Sequence, residues 1–240
     1  MNILDEIIAN SQKANKRIVL PEGNEPRTLK AAELVLRDGI ARLILLGDPT
    51  EISGEANRLG VDIGKATVVD PKTDPRRAQY AEMMVELRKS KGLTMDEALH
   101  LLDDPLYYGP MMIKAGDADG ELSGAVHATG DVLRPAFQYV KTLPGVSVVS
   151  GAFLMFMNDQ SIGHEGILVF ADCAVMPDPD ERQLAEIAVT TANTTRAILR
   201  IEPRVAMLSF STKGSASHNM VDKVVKATKI AREMDPELKI

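Results

Sequence analysis

The sequence predicts an α/β protein of two domains, each a largely parallel sheet with flanking helices, and three observations carry that reading. Short β-branched and aliphatic runs alternate with longer segments of helical period, which is the pattern of strands joined by crossover helices. An acid followed by proline recurs where helices should begin, at Asp48-Pro49 and Asp74-Pro75. From Gly145 onward the chain becomes richer in β-formers, which places a domain boundary there and gives domains of residues 1–145 and 146–240.

Taken in order, Arg17-Ile18-Val19-Leu20-Pro21 reads as a buried strand. Pro26 then suits a first helical turn, Leu29, Ala32 and Leu36 form an apolar stripe, and Gly39 closes the helix. Ala41 to Leu46 is the next strand, and Ala66-Thr67-Val68-Val69 lies between the two helices opened by Asp48-Pro49 and Asp74-Pro75. Gly92 ends the second of these, and Thr94-Met95-Asp96-Glu97 is a capping box. Pro105 and Pro110 interrupt the helical pattern of 103–116, and Gly120 to Val126 is expected as a strand running into a polar loop. In the second domain, strands are expected at Val146 to Val149, Phe153 to Met157, Ile167 to Phe170 and Arg204 to Phe210. Helices are expected near Asp180 to Leu199 and Asp222 to Met234, and Leu238-Lys239-Ile240 looks like the start of a strand, so the last βα unit is expected to continue past Ile240.

Charge and composition exclude several classes. A net charge of -6 and scarce aromatics argue against nucleic-acid binding, although a local basic site remains compatible with an acidic chain. One cysteine, Cys173, rules out an internal disulfide, the first residues lack a secretory basic region, and no apolar run is long enough to span a bilayer, so a cytoplasmic protein is expected. His100, His127, His164 and His218 are too scattered for a metal site, and no metal is expected. Neither a nucleophile elbow nor a dinucleotide fingerprint is present.

Two loops carry anion-binding chemistry. Ser211, Thr212, Lys213, Gly214 and Ser215 place hydroxyls, a cation and a glycine before a helix, where unpaired N–H groups favour phosphate. The other reading is an ordinary capped loop, since Walker A spacing is absent. The second loop, His127-Ala128-Thr129-Gly130-Asp131, offers the Thr129 hydroxyl just ahead of Arg134.

Six segments together resemble phosphate acetyltransferases (phosphotransacetylases). They are Leu20-Pro21-Glu22 with Arg27-Thr28-Leu29, Val69-Asp70-Pro71-Lys72-Thr73, Glu86-Leu87-Arg88-Lys89, Asp131-Val132-Leu133-Arg134-Pro135, Phe170-Ala171-Asp172-Cys173, and the Ser211 to Ser215 loop. The resemblance implies reversible acetyl transfer between acetyl phosphate and coenzyme A. It further implies an isocitrate/isopropylmalate-dehydrogenase-like fold with two domains facing a cleft, a homodimer, and coenzyme A as a substrate with no tightly bound cofactor. Substrate-binding arginines of the family match Arg134 and Arg88. The family's Ser-Arg-Gly stretch and nearby aspartate, taken to accept the thiol proton, have no counterpart up to Ile240, so the catalytic residues stay unassigned and the chain is expected to be C-terminally incomplete. Phosphate butyryltransferase, or a truncated non-catalytic module that binds acyl phosphate or coenzyme A, are the alternatives. An acetyl-cysteine route through Cys173 is a further one.

Overall fold

The computed structural model describes residues 3–212 and 214–240. Contacts divide the chain into two compact units, Met1–Lys141 and Thr142–Ile240.

In the first unit, a helix absent from the sequence reading, α1 (Ile3–Ala14), precedes β1 (Arg17–Leu20), α2 (Pro26–Arg37), β2 (Arg42–Leu46), α3 (Pro49–Leu59) and β3 (Thr67–Val69). Then come α4 (Arg77–Leu87), a short 3-10 turn, α5 (Met95–Leu101), α6 (Pro105–Ala115), β4 (Gly120–Glu121) and α7 (Thr129–Pro135), which continues as a π turn over Ala136–Val140. The strands form one parallel sheet in the order β3-β2-β1-β4. Side chains alternate across it. Leu20, Leu43 and Leu45 pack with Leu29, Ala32 and Leu36 of α2 and with Ile52 and Ala56 of α3. Val19, Ile44, Leu46 and Val69 face the other way, onto Tyr80 and Met84 of α4 and Tyr108, Met111 and Met112 of α6. A sheet covered on both faces needs apolar residues at every position, which is why Leu43-Ile44-Leu45-Leu46 carries no polar alternation.

Helix starts follow local chemistry. The Asp48 carboxylate accepts the N–H groups of Thr50 and Glu51 ahead of Pro49, and Thr94 with Glu97 closes a reciprocal capping box. Asp74 departs from the expected cap: its carboxylate takes the N–H and guanidinium of Arg76, and α4 begins at Arg77 with no side-chain cap. The 103–116 segment is also corrected, since Asp104 caps α6, Pro105 stands in its first turn, and Pro110 is accommodated inside it. Proline there forfeits one helical hydrogen bond, but Leu106, Tyr108, Met111 and Met112 are all buried by the same helix.

β4 stops at Glu121, five residues short of the expected end, because the amides of Gly124, Ala125, Val126 and His127 bond a side chain rather than a strand. Gly23 is required where β1 ends: a Cβ there would run into the Leu46 carbonyl.

The second unit contains an antiparallel pair, β5 (Ala152–Phe156) and β6 (Ile167–Ala171), and two helices, α8 (Glu181–Leu199) and α9 (Asn219–Met234), joined through Ala185, Ala227 and Ala231. Its ladder is thus antiparallel where a parallel one was expected. Two further strands expected here do not form. In 146–149, the Ser147 N–H and hydroxyl both go to the buried Glu186 carboxylate, at 2.9 and 2.7 Å. In 204–210, pairing is reduced to one parallel bridge, Arg204 with Lys239, while Ser209 and Ser211 hydrogen-bond each other locally. Leu238 to Ile240 contributes only that bridge among the described residues.

One buried acid makes the first unit's stability depend on pH. Glu121 has a carboxyl oxygen buried without a partner, and burial, helped by the neighbouring Glu22 charge, pushes its pKa up to about 8. A raised folded-state pKa means that its favourable contribution is complete below the unfolded value of about 4.5 and is lost as pH rises through about 8. Glu121→Gln should therefore gain stability over the parent above pH 8, by on the order of a few kcal/mol, and show little difference near pH 4.5. Thermal melts of both proteins across this range check it; parallel melting curves at every pH would refute the assignment.

Candidate active site

The strand order fixes where a ligand can enter the first unit. From β1 the chain steps outward through β2 to β3, then crosses back to place β4 on the other side of β1. Between β1 and β4 the connections diverge, so the carboxyl ends of these strands leave a crevice of the kind that α/β sheets use for ligands.

That crevice is organised by Glu22, just after β1. Its side chain is 4% exposed, and its two oxygens accept the N–H groups of Gly124, Ala125, Val126 and His127 at 3.0, 2.7, 2.9 and 3.1 Å. The His127 ring adds a contact through Nδ1 at 2.8 Å. Burial alone would raise the pKa of this carboxyl; the N–H donors and the His127 ring outweigh it and hold the value at about 2. From the opposite side, the Arg27 guanidinium donates to the Ala125 carbonyl at 2.5 Å.

The clamped segment leads straight into α7. Thr129 is its first residue and is exposed, and Arg134 is exposed, its one ion pair among the described residues being an exposed contact with Asp131 at 3.2 Å. Arg88 ends α4, and no hydrogen bond or ion pair among the described residues engages its guanidinium. Its charge acts on the buried Tyr139 hydroxyl, partly offsetting the upward push of burial, which places Arg88 beside the turn that continues α7. Arg88 also lines a hollow of about 380 Å³ with Lys91, Gly92, Glu97 and His100. The first unit thus carries Thr129 and Arg134 on the helix that follows the clamped segment, while Arg88 lines a separate hollow that contains neither of them.

In the second unit the Ser211 to Ser215 loop is closed on itself. Ser211 Oγ accepts the Ala216 N–H at 3.1 Å, Ser215 Oγ accepts the Thr212 N–H at 3.0 Å, and Gly214 takes the left-handed conformation at φ 82°. Lys213 lies outside the described residues. The loop does not open a helix directly, as the sequence suggested: α9 starts at Asn219 and is capped by the His218 ring, which accepts the Met220 N–H at 3.2 Å.

The other singled-out residues have local partners. Cys173 is half-buried and its thiol donates to the Phe170 carbonyl at 3.1 Å. Next to it, Asp172 accepts the N–H groups of Gly151, Ala174, Val175 and Met176, which outweigh burial and hold its pKa below the usual carboxylate range. A larger hollow of about 780 Å³, with an aliphatic lining that includes Leu168, Ile187, Ala192 and Leu199, contains none of the predicted site residues. Among the described residues, no cluster of three or more His, Cys, Asp or Glu could hold a metal, and no helix is long and apolar enough to cross a membrane. Glu22 is the residue that the sequence reading left without a role. Its signal was an acid directly after a buried strand, ahead of a helix it does not cap.

The fold and the cation-bearing sheet edge describe an α/β protein equipped for anionic substrates. Comparison with known proteins makes this specific: the family model for phosphate acetyl/butaryl transferase matches residues 2–240, and the chain belongs to that family. It is 52% identical to the phosphate acetyltransferase of Thermoanaerobacterium thermosaccharolyticum over 240 residues, all of this chain and 73% of that one. Identity to the Clostridium acetobutylicum phosphate acetyltransferase is 48%, again over the whole chain and 72% of the relative. Among solved structures, a phosphotransacetylase from Streptococcus pyogenes superposes with a TM-score of 0.91 at 40% identity, over 99% of this chain and 70% of that one.

Asp172→Asn tests the second carboxylate anchor. An amide offers one acceptor oxygen where the carboxylate offers two, leaving N–H groups unpaired, so a loss of about 1–3 kcal/mol is expected. Urea unfolding should show a lower midpoint with an unchanged slope.

Proposed function

We propose that this chain transfers an acetyl group reversibly between acetyl phosphate and coenzyme A, with coenzyme A a substrate and no cofactor held between turnovers. The observation that carries the reading is a family match spanning residues 2–240, in a chain whose first unit leaves Arg134 exposed and Arg88 partly exposed without an acidic partner among the described residues. Both substrates are phosphorylated. The planar fork of arginine grips phosphate oxygens at two points and keeps its charge at every working pH.

In the forward direction a base takes the proton of the coenzyme A thiol, whose unperturbed pKa is about 8.5, and the thiolate attacks the acetyl carbon. A C–S bond forms, the oxyanion of the tetrahedral intermediate collapses, the bond between the acetyl carbon and the bridging oxygen breaks, and inorganic phosphate departs with that oxygen and the electron pair. Arg88, Arg134 and Thr129 are the groups of the first unit that hold phosphoryl oxygens; in the second unit Thr212 and Ser215 supply hydroxyls, Gly214 an N–H group and Lys213 a cation to an anion, and Ser211 shapes their loop. Positioned donors of this kind are each worth on the order of 10²-fold in rate. The Cys173 thiol, engaged by the Phe170 carbonyl, supports direct attack over an acetyl-cysteine carrier. A homodimer is supported by the apolar Phe153, Phe156 and Phe170, exposed on the β5–β6 ribbon, and a cytoplasmic setting by the single cysteine.

Arg134→Gln should lower kcat/KM by on the order of 10²-fold in a thioester-absorbance assay, and unchanged kinetics for both substrates would remove Arg134 from the site. For the chemistry itself, labelled phosphate should not exchange into acetyl phosphate without coenzyme A. Exchange that occurs in the parent and disappears in Cys173→Ala would overturn direct attack.

A further inference from the structure

The strongest unexplained feature of the first unit is the concentration of interactions on Glu22. A buried carboxylate that collects four consecutive backbone N–H groups and an imidazole is far more than the end of β1 needs for its own stability. The main chain it holds belongs to no regular element: β4 has ended at Glu121 and α7 has not begun. What the contacts determine is the path and rotation of 124–127, hence where α7 starts.

α7 has little else at its entrance to fix it. Its N-cap, Ala128, provides no side-chain hydrogen bond, and Thr129, Gly130 and Asp131 are exposed. At its far end the helix is fastened through Pro135 and Tyr139, which are buried. Arg134 lies between these two attachments and reaches solvent.

The geometry points to Glu22 as a positioning residue for the acyl-transfer reaction: by clamping the amides of 124–127 it sets the placement of Thr129 and Arg134 toward the phosphorylated substrates. This rests on the reading of Arg134 as a substrate-binding group. Glu22 has no contact role with substrate in this account, since its lone pairs are directed at the main chain. Arg27 is the complementary half of the clamp, holding the Ala125 carbonyl while Glu22 holds the Val126 N–H of the same peptide, so one peptide is fixed from both sides. Two oxygens carrying five contacts exceed what a neutral amide side chain can accept.

The test is a double-mutant cycle in the full chain with Glu22→Gln and Arg134→Gln, read as KM and kcat for each substrate. Glu22→Gln alone should raise KM for at least one phosphorylated substrate by about tenfold or more, with a smaller change in kcat. In the Arg134→Gln background the same substitution should change kcat/KM less than about twofold, because the charged group it positions is gone and only the Thr129 hydroxyl remains. Equal fold losses in both backgrounds, or no loss in the parent, would overturn the proposal. Hydrogen exchange gives a readout independent of activity: amides of 124–134 should exchange faster in Glu22→Gln while those of β1 to β3 keep their protection, and uniform acceleration across the unit would count against positioning. If Arg134→Gln alone leaves kinetics unchanged, the substrate reading of Arg134 is what fails, and a proposal built on it falls with it. Should Glu22→Gln not fold, His127→Ala removes one contact of the clamp. It should give a smaller KM increase of the same kind, again absent without Arg134; a loss of kcat alone would overturn the idea.

Discussion

The first unit depends on a topological constraint: a parallel sheet that grows outward from β1 in one direction and returns on its other side must leave a gap at the carboxyl ends of β1 and β4. Main-chain amides emerging there have no strand partner and no helix to enter. Gly124, Val126 and His127 are exposed, so water is the competing partner for their amides. Glu22 takes four of them with one buried carboxylate and so fixes the path of the main chain there. The site is therefore a by-product of winding order, made rigid by a single anchored acid.

The same device explains how a chain of net charge -6 can bind anions. Many of its acids point at main-chain N–H groups rather than at solvent. Asp48, Asp104 and Asp180 cap helices, Asp172 holds the turn after β6, and Glu186 holds Ser147. Each of these carboxylates has its field partly cancelled by the dipoles it accepts from. Arg88, by contrast, has no acidic partner among the described residues, and the contact of Arg134 with Asp131 is exposed and weak. Net charge counts both groups alike, but the local potential does not, and an approaching phosphate responds to the local one.

Much of the fold was legible because it is written locally. The alternation of apolar runs with helical stripes, the Asp48-Pro49 start and the Thr94 capping box each need only neighbours in sequence, and each appears where expected. The failures share a cause. Ser147, Ser209 and the amides of 124–127 have strand-like sequences around them, but a strand requires a neighbouring strand to pair with, and here a carboxylate or a hydroxyl took the hydrogen bond first. Pro110 misled in the opposite direction, since the cost of one missing N–H is small beside the burial of Leu106, Tyr108 and Met111. For the site, Arg88 and Arg134 could be named from motif wording, whereas Glu22 could not: an acid that binds amides about 100 residues away leaves no spacing for a reader to find.

The Ser211 to Ser215 loop shows how much further geometry constrains a role than composition does. Counted as residues, it offers three hydroxyls to an anion. In the structure Ser211 both accepts the Ala216 N–H and donates to the Ala216 carbonyl, so its proton is committed to the loop. Ser215 accepts from the Thr212 amide through its oxygen, which leaves its own proton free to turn outward, and Thr212 is exposed. Ser211 thus shapes the loop, while Thr212 and Ser215 are the hydroxyls able to donate to a phosphate. The division mirrors the first unit, where Glu22 faces inward to the chain and Arg134 outward to solvent: in both places an inner polar residue spends its hydrogen bonds on the backbone so that an outer one is held ready for the ligand.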